Sequence, residues 1–154
     1  MLTRFATTAD IPELIRLRAV MIESGGDTFE GGPWAERCAE VLAGALASGE
    51  MAAVVVDRPE GDGLAACGVG MVAQRLPSRG CPDGRYGYVQ SMCTDEDHRR
   101  QGLARAVFDG LMGWFAASGV TRVDLHASPM GEPLYRSYGF ADPHQPELRW
   151  RAGP

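Results

Sequence analysis

The sequence predicts an α/β fold: a mixed, mostly antiparallel central sheet flanked by helices, in the order β-α-α-β-β-β-α-β-α-β. Three observations carry this. Two strand-like runs, Met51–Val56 and Leu64–Ala73, flank the polar turn Asp57–Gly63 and read as a hairpin. Gly102–Ser118 places Leu103, Val107, Leu111 and Trp114/Phe115 on one helical face and stops at Gly119. The remaining helical and strand-like stretches alternate along 154 residues with no repeat and no dividing linker, so one domain over 1–154 is expected.

Leu2–Ala6 alternates and reads as an edge strand. Asp10 with Glu13 three residues later, and Pro12 in the first turn, is a capping-box pattern. It opens a helix whose apolar stripe is Ile11, Leu14, Ile15, Leu17, Val20 and Met21. A glycine-rich loop, Glu23–Pro33, separates it from a second helix, Trp34–Ala47, with Trp34, Cys38, Val41, Leu42 and Leu46 at helical spacing. After the hairpin, Leu76–Gly84 is a Pro/Gly loop and Arg85–Thr94 a strand carrying Tyr86, Tyr88, Val89 and Met92. Beyond the long helix, Val120–Ala127 reads as a strand, Glu132–Tyr138 as a short helix and Leu148–Arg151 as a last strand.

Composition narrows the function classes. Hydrophobic residues are 45% and charged residues 23%, too apolar for a disordered chain. At this length roughly 70% of the unfolded surface can be buried. No apolar run approaches the ~18 residues a bilayer demands, and the first dozen residues hold no signal-like apolar stretch, so no membrane association is expected. The net charge of −5 disfavours a nucleic-acid binder. All 15 basic residues are arginine. Cys38, Cys67, Cys81 and Cys93 form no CxxC pair, and His98, His126 and His144 show no ligand spacing. No metal is expected, and a reducing, cytoplasmic compartment fits.

The chemistry concentrates after the strand ending at Thr94, where Arg99-Arg100-Gln101-Gly102-Leu103-Ala104-Arg105 opens the long helix. A helix start offers unpaired N–H groups and the positive end of the dipole, which suit a phosphate. Gly102 and Ala104 let a pyrophosphate approach the backbone, and Arg99, Arg100 and Arg105 add permanent charge. The spacing is neither Walker A nor GxGxxG. An arginine-rich helix start can also be merely solvated.

Here the chain resembles the GNAT superfamily of N-acetyltransferases. Arg99-Arg100-Gln101-Gly102-Leu103-Ala104 matches its acetyl-CoA signature, (Arg/Gln)-x-x-Gly-x-(Gly/Ala). Leu134-Tyr135-Arg136-Ser137-Tyr138-Gly139-Phe140 is similar to its LYxxxGF segment, in the family's order and separation. The resemblance implies acetyl-CoA as co-substrate, paired through its pantetheine with the backbone of Met92, Cys93 and Thr94, where an amide can also act as oxyanion donor. It implies a pyrophosphate on the N–H groups from Arg100 to Arg105, and Tyr135 as the acid that protonates the leaving thiolate. A packed helix tyrosine without that duty is the bland alternative.

The match is incomplete. Many relatives carry a Glu base on the fourth strand, whereas this chain has Tyr88-Val89-Gln90-Ser91 and no carboxylate before Asp95. Gln90 or Ser91 would then hold a water that removes the proton. Where relatives place an Asn after the fifth strand, His126-Ala127-Ser128-Pro129 stands, with Ser128 as the substitute. His126 is an alternative base titrating near neutrality, or else a hydrogen-bonded structural histidine. Glu23, Asp27 and Glu30 would make an acidic mouth for a cationic amine, or a solvated loop; Trp34 lines the acceptor pocket or anchors a helix. Arg75 and Arg79 would instead read a carboxylate, so the two ideas predict different acceptors.

The reading these features support is direct acetyl transfer from acetyl-CoA to a primary amine of a small molecule, with no acyl-enzyme on Cys93. A protein acetyltransferase acting on an N-terminus or a lysine, and a non-catalytic acyl-CoA-binding module, are the alternatives. A homodimer through the edge at Leu148–Arg151 is a further expectation.

Overall fold

The computed structural model describes residues 2–28 and 32–153. Five strands form one sheet in chain order: β1 (Arg4–Phe5), β2 (Met51–Asp57), β3 (Leu64–Gln74), β4 (Arg85–Thr94) and β5 (Val123–Leu125). The first four are antiparallel and β5 joins β4 in parallel. Helices α1 (Ile11–Ser24) and α2 (Pro33–Ser48) cover one face, and α3 (Leu103–Ala117) with the short α4 (Glu132–Ser137) covers the other.

Two cores follow from that layering. On one face, Leu14, Leu17 and Leu42 bury against Val55, Leu64 and Val69. On the other, Val107, Phe108, Leu111 and Phe115 bury against Val54, Ala66 and Val89. The small residues of β3 make the second contact close. A Cβ at Gly68 would stand 2.6 Å from the Met92 sulfur and 2.7 Å from a Val107 methyl, so only glycine lets α3 lie this near the sheet.

Several expectations shift. The capping carboxylate is Asp10, but it closes back on Thr7, whose N–H donates to it at 2.7 Å. Glu13 is drawn elsewhere, accepting from Arg16 at 2.9 Å and from the Leu64 N–H at 2.9 Å. The fifth strand shrinks from Val120–Ala127 to Val123–Leu125 because β4 pairs with it only over Gly87–Val89. Leu148–Arg151 forms no strand; Leu148 and Trp150 are 87% and 84% exposed. A strand needs a partner as well as a pattern, and no described residue supplies backbone hydrogen bonds to that segment.

Candidate active site

A register fault in the sheet opens the site. Val69 of β3 pairs with Ser91 of β4, and Gly70 pairs with Val89, so Gln90 is an extra residue without an opposite number. Such a bulge bends its strand and increases the local twist. At the same point the β4–β5 pairing ends at Val89 and Leu125, so from Gln90 to Thr94 β4 is held by β3 on one side only and its other edge is unpaired. This free strand edge, which includes Met92, Cys93 and Thr94, can accept an extended chain with amide groups as an added strand.

Past Thr94 the chain makes a 3₁₀ turn at Glu96–His98 and then enters the left-handed region twice, at Arg100 (φ 63°) and Gly102 (φ 78°). Left-handed backbone is uncommon for a residue with a side chain, and its presence in Arg100 marks a turn held by its surroundings. Between Arg100 and Arg105 no backbone N–H has an acceptor among the described residues; Ala106 is the first to bond back, to the Gly102 carbonyl at 3.1 Å. Six free amides at the start of a 15-residue helix fit an anion. Space around Gly102 is open, with no atom within 4 Å of where a Cβ would stand.

The side chains of this turn have separate duties. Leu103 is 5% exposed and belongs to the core, so only its amide is available to a ligand. Arg99 reaches back to the Thr94 carbonyl at 3.4 Å and to Ser24 at 3.3 Å, tying the turn to β4 and α1. Arg105 lies 5.5 Å from the Tyr138 ring centre and 3.3 Å from the Ser137 hydroxyl. Arg100, Gln101 and Gly102 are exposed. Behind the turn, Asp95 sits between Arg58 and Arg16, the latter at 3.2 Å. Burial alone would raise its carboxyl, and the two guanidinium groups outweigh that and hold it below the usual range.

A small cavity of about 110 Å³ lies where β4 and β5 part, walled in part by Met92, Leu125, His126, Ser128 and Tyr135. Tyr135 is 8% exposed, and burial pushes its phenol above the ordinary value, so it is protonated at neutral pH. Its hydroxyl has no hydrogen-bond partner among the described residues and is free to donate. Ser128 accepts the Gly131 N–H at 3.1 Å and so braces the start of α4 while keeping its own O–H available. His126 is exposed and engaged at both nitrogens: the Tyr88 hydroxyl meets Nδ1, and Glu147 lies 3.4 Å from Nε2.

A second cavity of about 300 Å³ opens between α1, α2 and the sheet. Gln90 and Ser91 line both cavities, which makes them the link between the two. Trp34 is on its wall. Glu23 and Asp27 are exposed at the end of α1 and line neither cavity, while Glu30 lies outside the described residues. Arg75, 5.2 Å from the Tyr86 ring centre, lines a separate cavity of about 660 Å³ with Tyr88, Arg122, Asp124 and Glu147, and Arg79 is exposed in its loop. The charged residues at the pocket are instead Arg18 and Arg37, which the sequence reading did not single out. Both sit in amphipathic helices, where a charged residue ordinarily marks the solvent face.

Cys93 offers no nucleophile. Burial pushes its thiol up to about 11, and that of its cross-strand neighbour Cys67 up to about 12, so both stay protonated. No group of three or more His, Cys, Asp or Glu that could hold a metal occurs among the described residues.

A free strand edge beside a helix start with open amides fits an extended ligand that ends in an anion. The family model described as the acetyltransferase (GNAT) domain matches residues 40–149. Among solved structures, a predicted acetyltransferase from Clostridium acetobutylicum with acetyl-CoA superposes with a TM-score of 0.85 at 23% identity, covering 96% of this chain and 95% of the other. A GCN5-related N-acetyltransferase from Ralstonia eutropha JMP134 gives 0.78 at 25% identity, covering 97% of each chain. Glucosamine-6-phosphate N-acetyltransferase from Arabidopsis thaliana gives 0.74 at 18%, covering 97% and 99%. No curated protein matches the sequence. The chain belongs to the GNAT acetyltransferase family.

Proposed function

We propose that this chain is an acetyl-CoA-dependent N-acetyltransferase that acetylates a primary amine of a small molecule by direct attack, with Tyr135 as the general acid. The observation that carries the reading is the line formed by three features: open amides from Arg100 to Arg105, the free β4 edge, and the unpartnered Tyr135 hydroxyl on the cavity where that edge begins. The amine nitrogen attacks the thioester carbonyl, a C–N bond forms, the C–S bond breaks, and the thiolate takes the Tyr135 proton; the N–H proton lost as the nitrogen becomes an amide returns to the tyrosinate. One proton leaves the ammonium before attack. A water held at Gln90 and Ser91 is the acceptor we favour, since both ring nitrogens of His126 are already engaged, by the Tyr88 hydroxyl and by Glu147. Much of the rate then comes from positioning.

A small acceptor is favoured over a polypeptide because a cavity of about 300 Å³ is at the lower end of small-molecule sites. The four cysteines are free and no described helix is long and apolar enough to cross a membrane, which supports a reducing compartment such as the cytoplasm. The test is thiol release from acetyl-CoA against amino acids, polyamines, aminoglycosides and lysine-containing peptides. Release with one small-molecule class is the expected result. Binding of acetyl-CoA with no release across the panel would favour a non-catalytic acyl-CoA-binding module. Because the chain contains no lysine, acetylation of its own side-chain amines cannot confuse the assay.

A further inference from the structure

We propose that the acceptor is an apolar primary amine that carries a carboxylate, and that Arg18 recognises that carboxylate. The proposal rests on the transferase reading above and specifies its substrate. The cavity between α1, α2 and the sheet has apolar walls from Leu14, Trp34, Leu42, Met51 and Val69, and no described Asp or Glu lines it. Its charge comes from two arginines. Arg37 is turned to Glu40, 2.9 Å away on the same helix. Arg18 is half-buried and has no hydrogen bond or ion pair among the described residues.

That makes Arg18 an exception in this molecule. Arg4, Arg16, Arg58, Arg85 and Arg99, which are half-buried too, all have an acceptor: Asp10, Glu13, Asp95, the Ser118 carbonyl and the Thr94 carbonyl. A partly desolvated guanidinium without an acceptor is costly, and a carboxylate meets its planar fork with two parallel hydrogen bonds. The acetyl-CoA phosphates are spoken for at the other end of β4, on the amides from Arg100 to Arg105.

Position supports the same occupant. Leu14, Arg18 and Met21 follow one another along one face of α1 at helical spacing. Leu14 and Arg18 line the cavity of about 300 Å³, and Met21 lines the small one beside Tyr135. A ligand whose carboxylate meets Arg18 has its apolar part among Leu14, Leu42 and Val69, and its amine is directed toward Gln90 and Ser91. An unneutralised Arg18 would repel a polyamine. With a carboxylate present the pair is neutral, and the amine is free to approach.

Matched acceptors test this: leucine and phenylalanine against isoamylamine and phenethylamine, with spermidine and phosphoethanolamine as further arms. The expected result is kcat/KM at least tenfold higher for the amino acids than for their decarboxylated partners. Arg18→Gln should raise the amino-acid KM at least tenfold, with KM for acetyl-CoA unchanged, and Arg18→Lys should recover part of the loss. Saturation-transfer NMR of phenylalanine on the CoA-loaded protein should show binding to wild type and not to Arg18→Gln, a readout independent of turnover. Equal use of decarboxylated amines, preference for spermidine or phosphoethanolamine, or an unchanged KM in Arg18→Gln would overturn the proposal and leave the transferase reading intact. Silence with every amine would remove both. If Arg18→Gln fails to fold, the wild-type panel and Arg18→Lys still decide.

Discussion

The rings of Tyr135 and Phe108 lie with centroids 5.1 Å apart and planes tilted by 60°, so the phenol proposed as general acid is steered by the core beneath α3. Phe108 is fully buried and also touches Tyr138 at 4.8 Å and Phe140 at 5.7 Å, which holds α4 against α3. The aromatic residues of the LYxxxGF segment thus divide into one facing the cleft and two that fix the helix carrying it. Removing only the hydroxyl separates these roles. Tyr135→Phe should lower kcat about 100-fold while KM for acetyl-CoA and thermal stability stay near wild type. Steady-state kinetics with a melting curve checks this, and equal turnover would contradict the acid role.

Gly102 and Gly119 form a natural control pair. Their φ values are 78° and 75°, and a Cβ at either would meet no atom within 4 Å, but they stand at opposite ends of α3. Replacing either with alanine should cost about 1 kcal/mol of stability through left-handed strain. Only Gly102→Ala should weaken CoA binding, because its Cβ enters the space above the free amides. Isothermal titration with CoA on both variants decides, and equal weakening would remove the phosphate assignment.

Direct transfer predicts that Cys93 is dispensable. Its buried, protonated thiol should resist alkylation at neutral pH, and Cys93→Ala should turn over within a few-fold of wild type. Mass spectrometry after rapid quench should find no acetyl group on the protein. An acetyl adduct at Cys93 would require a two-step mechanism instead.

Acid stability has a specific source. The Arg4 guanidinium, bonded at 2.9 Å, holds the Asp10 carboxyl down to about 2 against an ordinary 3.8. A carboxyl lowered by folding adds stability that is fully present above its unfolded value and disappears as pH falls through the folded one. The window is therefore about pH 4 down to 2. With Arg4 38% exposed, the contribution is on the order of 1 kcal/mol after solvent screening. Urea denaturation at stepped pH should show a shallower acid loss in Asp10→Asn than in wild type across that window.

The turn from Arg99 to Arg105 and the placement of Tyr135 were legible because each is a local signature: a left-handed glycine before a helix, and a tyrosine at fixed distance from a helix-ending Gly139. The bulge at Gln90 was not legible, since a register fault exists only between two strands and no residue in β4 announces it. The short fifth strand and the unpaired segment at Leu148–Arg151 follow the same rule. Their apolar residues satisfy a strand pattern, while pairing depends on a neighbour far away in the chain.

Charge shows the division most clearly. From residue order alone, Glu23, Asp27 and Glu30 promised an acidic mouth, and Arg75 and Arg79 an anion site, with equal plausibility. Packing adds a charge that residue order did not suggest: the rotation of α1 that buries Leu14 and Leu17 turns Arg18 to the wall of the cavity between α1 and α2 and leaves Glu23 in solvent. The sequence by itself determined the family, the arginine–glycine turn that opens α3 and the short helix that carries Tyr135, because hydrogen bonding and periodicity within a turn or two are short-range properties. The tertiary structure alone decided where the cleft opens and which cation lines it, because those depend on how one helix face and two strands meet across the sheet.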